Sequence, residues 1–180
     1  MVYFIADLHI GHQNVIRLNN RPFDCLDDMH ECIITNWNAV VRPTDEVYIV
    51  GDVAYRSQID IVKFLNNLNG IKYLIVGNHD RKNLKNPEFR KCFKDICDMT
   101  TINLNGVSIV LCHYPLGEWD GYYRGAYHIH GHIHNNTGIK VYKYLKEEDR
   151  ALNAGVDIIN YTPVTFEQLI ECNKIFKALN

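Results

Sequence analysis

Five times along this 180-residue chain, an apolar run rich in β-branched residues gives way to a short cluster of Asp, Asn or His. The clusters are Asp7-Leu8-His9, Gly51-Asp52, Gly77-Asn78-His79-Asp80, His113 ahead of Tyr114-Pro115, and Gly131-His132-Ile133-His134. Apolar runs of this length read as buried strands. The clusters therefore fall on loops at strand ends, where rigid elements hold side chains in fixed geometry.

The rest of the pattern sets the order of elements. Residues 2–6 read as a first buried strand. Leu26, Met29, Ile33, Trp37 and Val40 share one stripe at helical spacing, which predicts a helix over 25–40. A short strand over 47–50 runs into Gly51-Asp52. A helix over 59–68 closes at Gly70, a C-cap residue type, and a strand over 71–76 ends at Gly77-Asn78. Alternating strand and helix indicates parallel strands joined by crossover helices. Beyond residue 98 the pattern changes. Strands over 99–104 and 107–112 flank Asn105-Gly106, a hairpin signal. Further strands are expected over 126–130, 138–144 and 151–156. Thr165 and Gln168 read as a capping box opening a last helix that runs to about residue 178. One parallel half and one antiparallel half suggest two sheets packed together with helices outside. No repeat or linker interrupts the chain, and its length suits a single domain over 1–180.

Composition narrows the partners. A formal net charge of -2 gives no general attraction to nucleic acid or anionic membrane. No apolar run is long enough to cross a bilayer, and Asp7 follows the first strand without a basic leader, so a cytoplasmic protein is expected. The six cysteines form no C-x-x-C pair and read as apolar fillers. Cys112, beside His113, is a conceivable soft ligand, but a small strand residue is the better reading.

Asp, Asn and His supply the oxygen and nitrogen donors that Mn, Fe or Zn accept. Two such cations held close together can share a water, acidify it and clamp both ends of an in-line phosphoryl displacement. They need a bridging carboxylate, and Asp52 is the candidate. It follows a strand and a Gly whose missing side chain lets backbone come close. Asp7 and His9 alternate around Leu8, and His132 and His134 around Ile133, so each pair can point to one side of an extended segment.

The ordered set D-x-H, G-D, G-N-H-D, H and G-H-x-H, from Asp7 to His134, resembles the calcineurin-like metallophosphoesterase superfamily. The resemblance implies an α/β fold, a four-layer αββα sandwich of two mixed β-sheets flanked by helices. It implies a dinuclear-metal-dependent phosphoester hydrolase, attacking with a metal-bridging hydroxide and using a histidine general acid. By position, Asp7, His9, Asp52 and His134 would hold one ion, and Asp52, Asn78, His113 and His132 the other. His79 matches the proton donor and Asp80 the residue that orients it. The cofactors would be two divalent transition-metal ions, Mn first, with Fe, Zn, Ni or Co as alternatives. The one departure is Ile133, where Thr or Val is common, and it is not a ligand. No long insertion is present to form a cap.

Other residues carry weaker signals. His12 and Asn14 follow Gly11 and either face the site or cap a helix. Arg17 and Arg21 have guanidinium forks suited to a substrate phosphate, although a solvated arginine is the commoner case. His30, His128 and His130 read as structural. Trp119, Tyr122, Tyr123 and Arg124 lie between His113 and His132, where they either stack a flat group or bury themselves. We expect burial. Asn153 and Asp157 are placed to hydrogen-bond a ligand histidine. An uncapped site leaves room for two substituents, which points to a phosphodiesterase acting on a small phosphoester, nucleotides included. A phosphomonoesterase and a non-catalytic protein-binding scaffold of the same fold are the alternatives. The scaffold reading predicts lost ligands, whereas Asn78-His79-Asp80 is complete. The acidic balance counts against long nucleic acid.

Overall fold

The computed structural model describes residues 1–179. Its first sheet contains β1 (Val2–Ile5), β2 (Glu46–Ile49), β3 (Ile71–Ile75) and β4 (Asp95–Cys97), in that order and parallel throughout. Parallel neighbours cannot be joined by a tight turn, so each link crosses over. The first crossover holds α1 (Gln13–Leu18) and α2 (Leu26–Val40), the second α3 (Ile61–Asn66). The third holds a 3-10 helix (Asp80–Lys85) and α4 (Pro87–Lys91), which opens with a proline at its start and the Asn86 side chain as its cap.

The second sheet contains β5 (Met99–Leu104), β6 (Val107–Cys112), β7 (Tyr127–His130) and β8 (Ala151–Asn153). The β5–β6 pair is the predicted hairpin, turning on Asn105 and Gly106, both at positive φ. The antiparallel pairing expected of this half stops there, because β6–β7 and β7–β8 are parallel. That explains one correction. Residues 138–144 do not form a strand; α5 (Lys140–Glu147) occupies this stretch and provides the β7–β8 crossover. Tyr142 and Leu145 are buried at i, i+3 spacing while Lys140, Lys143 and Lys146 are exposed, a helical period. The last helix, α6 (Phe166–Leu179), opens with the predicted capping box. Thr165 N–H donates to Gln168 Oε1 (2.9 Å), and Gln168 N–H donates to Thr165 Oγ1 (3.4 Å).

The two sheets share one core. Phe4, Ile5, Ile49 and Leu74 from the first pack in one cluster with Ile109, Leu111, Ile129 and Leu152 from the second, and Trp37 of α2 is fully enclosed. Backbone bonds from Ala6 to Ala154 (2.7 Å) and from Val156 to Ala6 (3.0 Å) stitch the end of β1 to the segment after β8. Helices flank this two-sheet α/β sandwich. Among the described residues, no helix is long and apolar enough to cross a membrane. Each of the five polar clusters leaves the C-terminal end of a strand, namely β1, β2, β3, β6 and β7.

Candidate metal centre

Five non-glycine residues of the clusters have left-handed backbone: Asp7 (φ 58°), His9 (52°), Asp52 (55°), His132 (72°) and His134 (52°). A side chain makes this region unfavourable by roughly 1–2 kcal/mol per residue. The pairs Asp7/His9 and His132/His134 therefore do not converge by alternating along extended chain, as their spacing suggested. They converge because left-handed residues bracket Leu8 and Ile133, both of which are buried. The loops are held by continued pairing beyond the strands, with Asp7 N–H on Gly51 O (3.0 Å), His9 N–H on Asp52 O (3.0 Å) and Ile10 N–H on Val53 O (2.9 Å). Gly51 allows the close approach expected of it. Its φ is +86°, and a Cβ there would lie 2.3 Å from His113 Nδ1.

These loops bring all seven candidate ligands together. Donor atoms of Asp7, His9 and His134 lie within 4.8 Å of one another, and so do those of Asp7, Asp52 and His113. Asp52 Oδ2 is 3.5 Å from His9 Nε2 and 3.5 Å from His113 Nε2, so one carboxylate oxygen faces both halves of the cluster. Asn78 Oδ1 lies 3.2 Å from His113 Nε2 and 3.0 Å from His132 Nδ1.

Hydrogen bonds behind the cluster set which nitrogen faces inward. His113 Nδ1–H donates to Val50 O (2.9 Å), leaving Nε2 toward Asp52 and Asn78. His134 Nδ1 is held 2.9 Å from Asp157 Oδ2, and Asn153 Nδ2 donates to His134 O (2.8 Å). His9 Nε2 is buried with no hydrogen-bond partner. A buried nitrogen left without a partner is costly, and a cation would satisfy it.

Charge in this pocket is unbalanced in the same sense. Burial pushes the Asp7 carboxyl up to about 6, against the pull of His134 and His113. Burial also opposes ionisation of Asp52, yet the neighbouring His113, the His79 backbone N–H and His9 bring it down to about 2. Burial disfavours a charged His113, but the Asp52 and Asp7 carboxylates override it and raise His113 to about 9. Burial, then His134, drives His9 well below its ordinary value. The Asp52 and Asp7 carboxylates thus favour positive charge at His113, which a bound cation would supply. The donor set and the unpartnered His9 nitrogen therefore fit metal ions.

A family model described as calcineurin-like phosphoesterase matches residues 1–151. The chain belongs to this family. It is 33% identical to an uncharacterized protein of Methanocaldococcus jannaschii over 99% of this chain and 96% of that one. It is 29% identical to the gene 66 protein of Mycobacterium phage D29, covering 87% of each. Among solved structures it resembles a protein of unknown function from Aquifex aeolicus, with a TM-score of 0.72 and 28% identity over 97% of this chain and 98% of that one.

Around the cluster of this calcineurin-like family member, the structure places Asp80 and Arg21 differently from the expectation. Asp80 does not touch the His79 imidazole. Its carboxylate accepts from three backbone N–H groups, those of Asp52 (2.9 Å), Val53 (2.9 Å) and Gly77 (2.8 Å). It locks the Asp52 loop to the Asn78 loop, and burial pushes its carboxyl up to about 6. The His79 N–H donates to Asp52 Oδ1 (2.9 Å), and its ring packs on Tyr55, with centroids 4.1 Å apart. The His79 ring is contacted by Tyr55 and His9, not by Asp80.

Arg21 is not a phosphate contact. Its guanidinium is buried behind the ligand loop, donating to Asp7 O (2.8 Å), Leu8 O (3.1 Å) and Asp157 Oδ1 (2.9 Å). It supports the left-handed Asp7 backbone and fixes Asp157, which holds His134. Removing one partner of such a buried pair typically costs about 3–5 kcal/mol. Arg21→Leu is therefore expected to lower the urea midpoint by a corresponding amount, and Arg21→Lys to rescue little, since an ammonium cannot span three acceptors. An unchanged midpoint with a raised KM would restore the substrate role.

His12 and Arg17 differ in placement. His12 is half-buried, with Nδ1 3.2 Å from His9 Nδ1 and its ring against Tyr55 (4.8 Å). It precedes α1 without a side-chain capping bond, so it faces the site and does not cap the helix. Arg17 is exposed on α1, with no contact to the cluster among the described residues. Tyr55 and Tyr114 were not singled out from the sequence. Tyr114 is exposed, with its ring 4.7 Å from His132 and 5.3 Å from His113. The 117–124 segment buries Trp119, whose Nε1–H donates to Ala126 O (2.9 Å), and ties Tyr122 to Glu148. His128 is buried, with Nδ1 on Val110 O (3.0 Å) and Nε2 accepting from Leu116 N–H (3.2 Å). His130 bonds Gly131 O (2.9 Å), and burial pushes it down to about 3. His30 accepts from Gly11 N–H (3.1 Å).

Proposed function

We propose that this member of the calcineurin-like phosphoesterase family is a two-metal phosphodiesterase acting on small phosphoesters. The observation that carries the reading is Asp52 Oδ2, equidistant from His9 Nε2 and His113 Nε2. Asp7, His9, Asp52 and His134 would hold one ion, and Asp52, Asn78, His113 and His132 the other. When bound, the pair supplies an acidified water and neutralises charge on the phosphoryl oxygens. His79 then serves as proton donor to the leaving oxygen. It sits at the rim, partly exposed, with Nε2 3.8 Å from Asp52 Oδ2 and its ring held by Tyr55. Asp80, Arg21 and Asp157 act from behind, keeping the loops and the His134 ring in place.

Preference for a diester is supported by the rim. Tyr55 lies beside His79 and His12, while Tyr114 lies beside His113 and His132, so the rim offers two separate aromatic rings, one for each substituent. A small substrate is favoured over long nucleic acid by the net charge of -2. A panel of diesters, cyclic nucleotides and monoesters assayed with Mn-loaded protein tests this; turnover of monoesters alone would replace the diester reading.

His9, His113, His132 and His134 favour borderline transition metals over an oxygen-seeking ion, so Mn or Fe is expected ahead of Mg, with Zn, Ni or Co as substitutes. Two ions per chain should be found by elemental analysis after reconstitution. One ion or none at saturation would end the dinuclear reading.

A further inference from the structure

We propose that the cleft beside Tyr55 is the leaving-group subsite, and that it takes a leaving group carrying a planar ring and an anionic group of its own, as a nucleotide does. This rests on the phosphoesterase reading above, because the position of the proton donor decides where the leaving oxygen must lie. His79 packs on Tyr55, whose ring also meets His12 and Arg56, and Tyr55, His12 and Arg56 line a cleft of about 480 Å3. That volume suits a small-molecule ligand. Gly11, His12, Asn14, Tyr55, Arg56 and Gln58 are among its lining residues, and none of the lining residues is acidic.

The lining is specific in chemistry. Tyr55 offers a ring, and Arg56 stands over it with Cζ 5.2 Å from the centroid. Arg56 makes no ion pair with a carboxylate among the described residues, so its planar charge is available to an anion. The side-chain amides of Gln13, Asn14 and Gln58 add hydrogen-bonding groups on the same wall. A cationic leaving group would find no counter-charge here.

The wall is also built, since Arg56 is held at φ 47°, a left-handed conformation that a side chain makes unfavourable. The loop is pressed directly onto Gly11, where a Cβ would fall 2.1 Å from Ser57 Oγ. Gly11 is in turn anchored by its N–H on buried His30. The loop after β2 and the loop after β1 therefore form one surface, continuous from the metal ligands to Arg56.

The test compares two diesters that release the same nucleoside, one with an additional phosphate on that nucleoside and one without. The metal-loaded wild type should prefer the phosphorylated leaving group in kcat/KM. Arg56→Gln should shrink that preference about tenfold, the scale of one charge-assisted contact, and Arg56→Lys should keep more of it than Gln does. Calorimetry on the same metal-loaded proteins gives a second readout. Arg56→Gln should weaken AMP binding about tenfold relative to its effect on inorganic phosphate, which reports the metal centre alone. If esters are cleaved but neither the preference nor AMP binding responds to Arg56, the subsite is overturned. If no ester is cleaved while AMP binding still depends on Arg56, the cleft stands as a nucleotide-binding site, and the phosphoesterase reading fails together with the leaving-group role.

Discussion

Asp52→Asn should remove nearly all hydrolysis while leaving the fold intact. The fold prediction follows from what the side chain does apart from its charge. Its Oδ1 accepts the His79 N–H at 2.9 Å, and an asparagine oxygen can accept the same bond. The loop is also held from outside by Asp80, which grips the Asp52 and Val53 N–H groups. What is lost is the negative charge on Oδ2, the atom 3.5 Å from both His9 and His113. Two dications in one cluster repel strongly, and a neutral amide oxygen does not hold them together. Removing an outer partner of a metal ligand typically costs about 10–100-fold in metal affinity or activity, so losing a shared ligand should exceed about 100-fold. The measurement is kcat/KM together with metal content, with circular dichroism and the urea midpoint as fold controls. A variant that binds two ions and turns over near normally would remove Asp52 from the shared position.

How much of this was legible in the sequence depends on the range of the interaction. The strand-end clusters are readable because ligand chemistry admits few residue types, and apolar runs ahead of them mark the strands. The hairpin at Asn105-Gly106 and the capping box at Thr165 are local, and both stand as read. The 138–144 stretch misleads because Ile139, Val141 and Tyr142 suit a strand, while the burial of Tyr142 and Leu145 is decided by packing near the second sheet. The helices α1 and α4 and the strand β4 are too short for a period to show. Arg21 is the plainest limit. A guanidinium in a loop reads as a surface group, but its partner Asp157 lies 136 residues away. The left-handed backbone of Asp7, His9, Asp52, His132 and His134 is hidden for the same reason, since tertiary pairing imposes it and propensity opposes it. Tyr55 and Tyr114 sit close after Asp52 and His113, yet nothing local separates a tyrosine on the rim from one in the core.

His79→Ala should cost about 10²–10⁴-fold on esters with poor leaving groups, the usual contribution of general acid catalysis. An alkyl or nucleoside alkoxide departs slowly unless it receives a proton, whereas a nitrophenolate is already a stable anion. The loss should therefore shrink as the pKa of the leaving group falls, and approach nothing for nitrophenyl esters. The geometry raises a rival that the same experiment resolves. Donor atoms of His9, Asp52 and His79 also lie within 4.8 Å of one another, so His79 has the position of a possible ligand as well as of an acid. In the proposed arrangement the first ion already has Asp7, His9, Asp52 and His134, and the His79 ring is occupied by its packing on Tyr55, which favours the acid. Metal content measured beside kcat/KM separates the two roles. An acid leaves both ions bound and gives a loss graded by leaving group. A ligand gives a drop in bound metal and a loss of equal size across the series, in which case the first ion's shell includes His79 and the proton must come from elsewhere. His12, 4.8 Å from the same Tyr55 ring, is then the nearest imidazole on the leaving-group side.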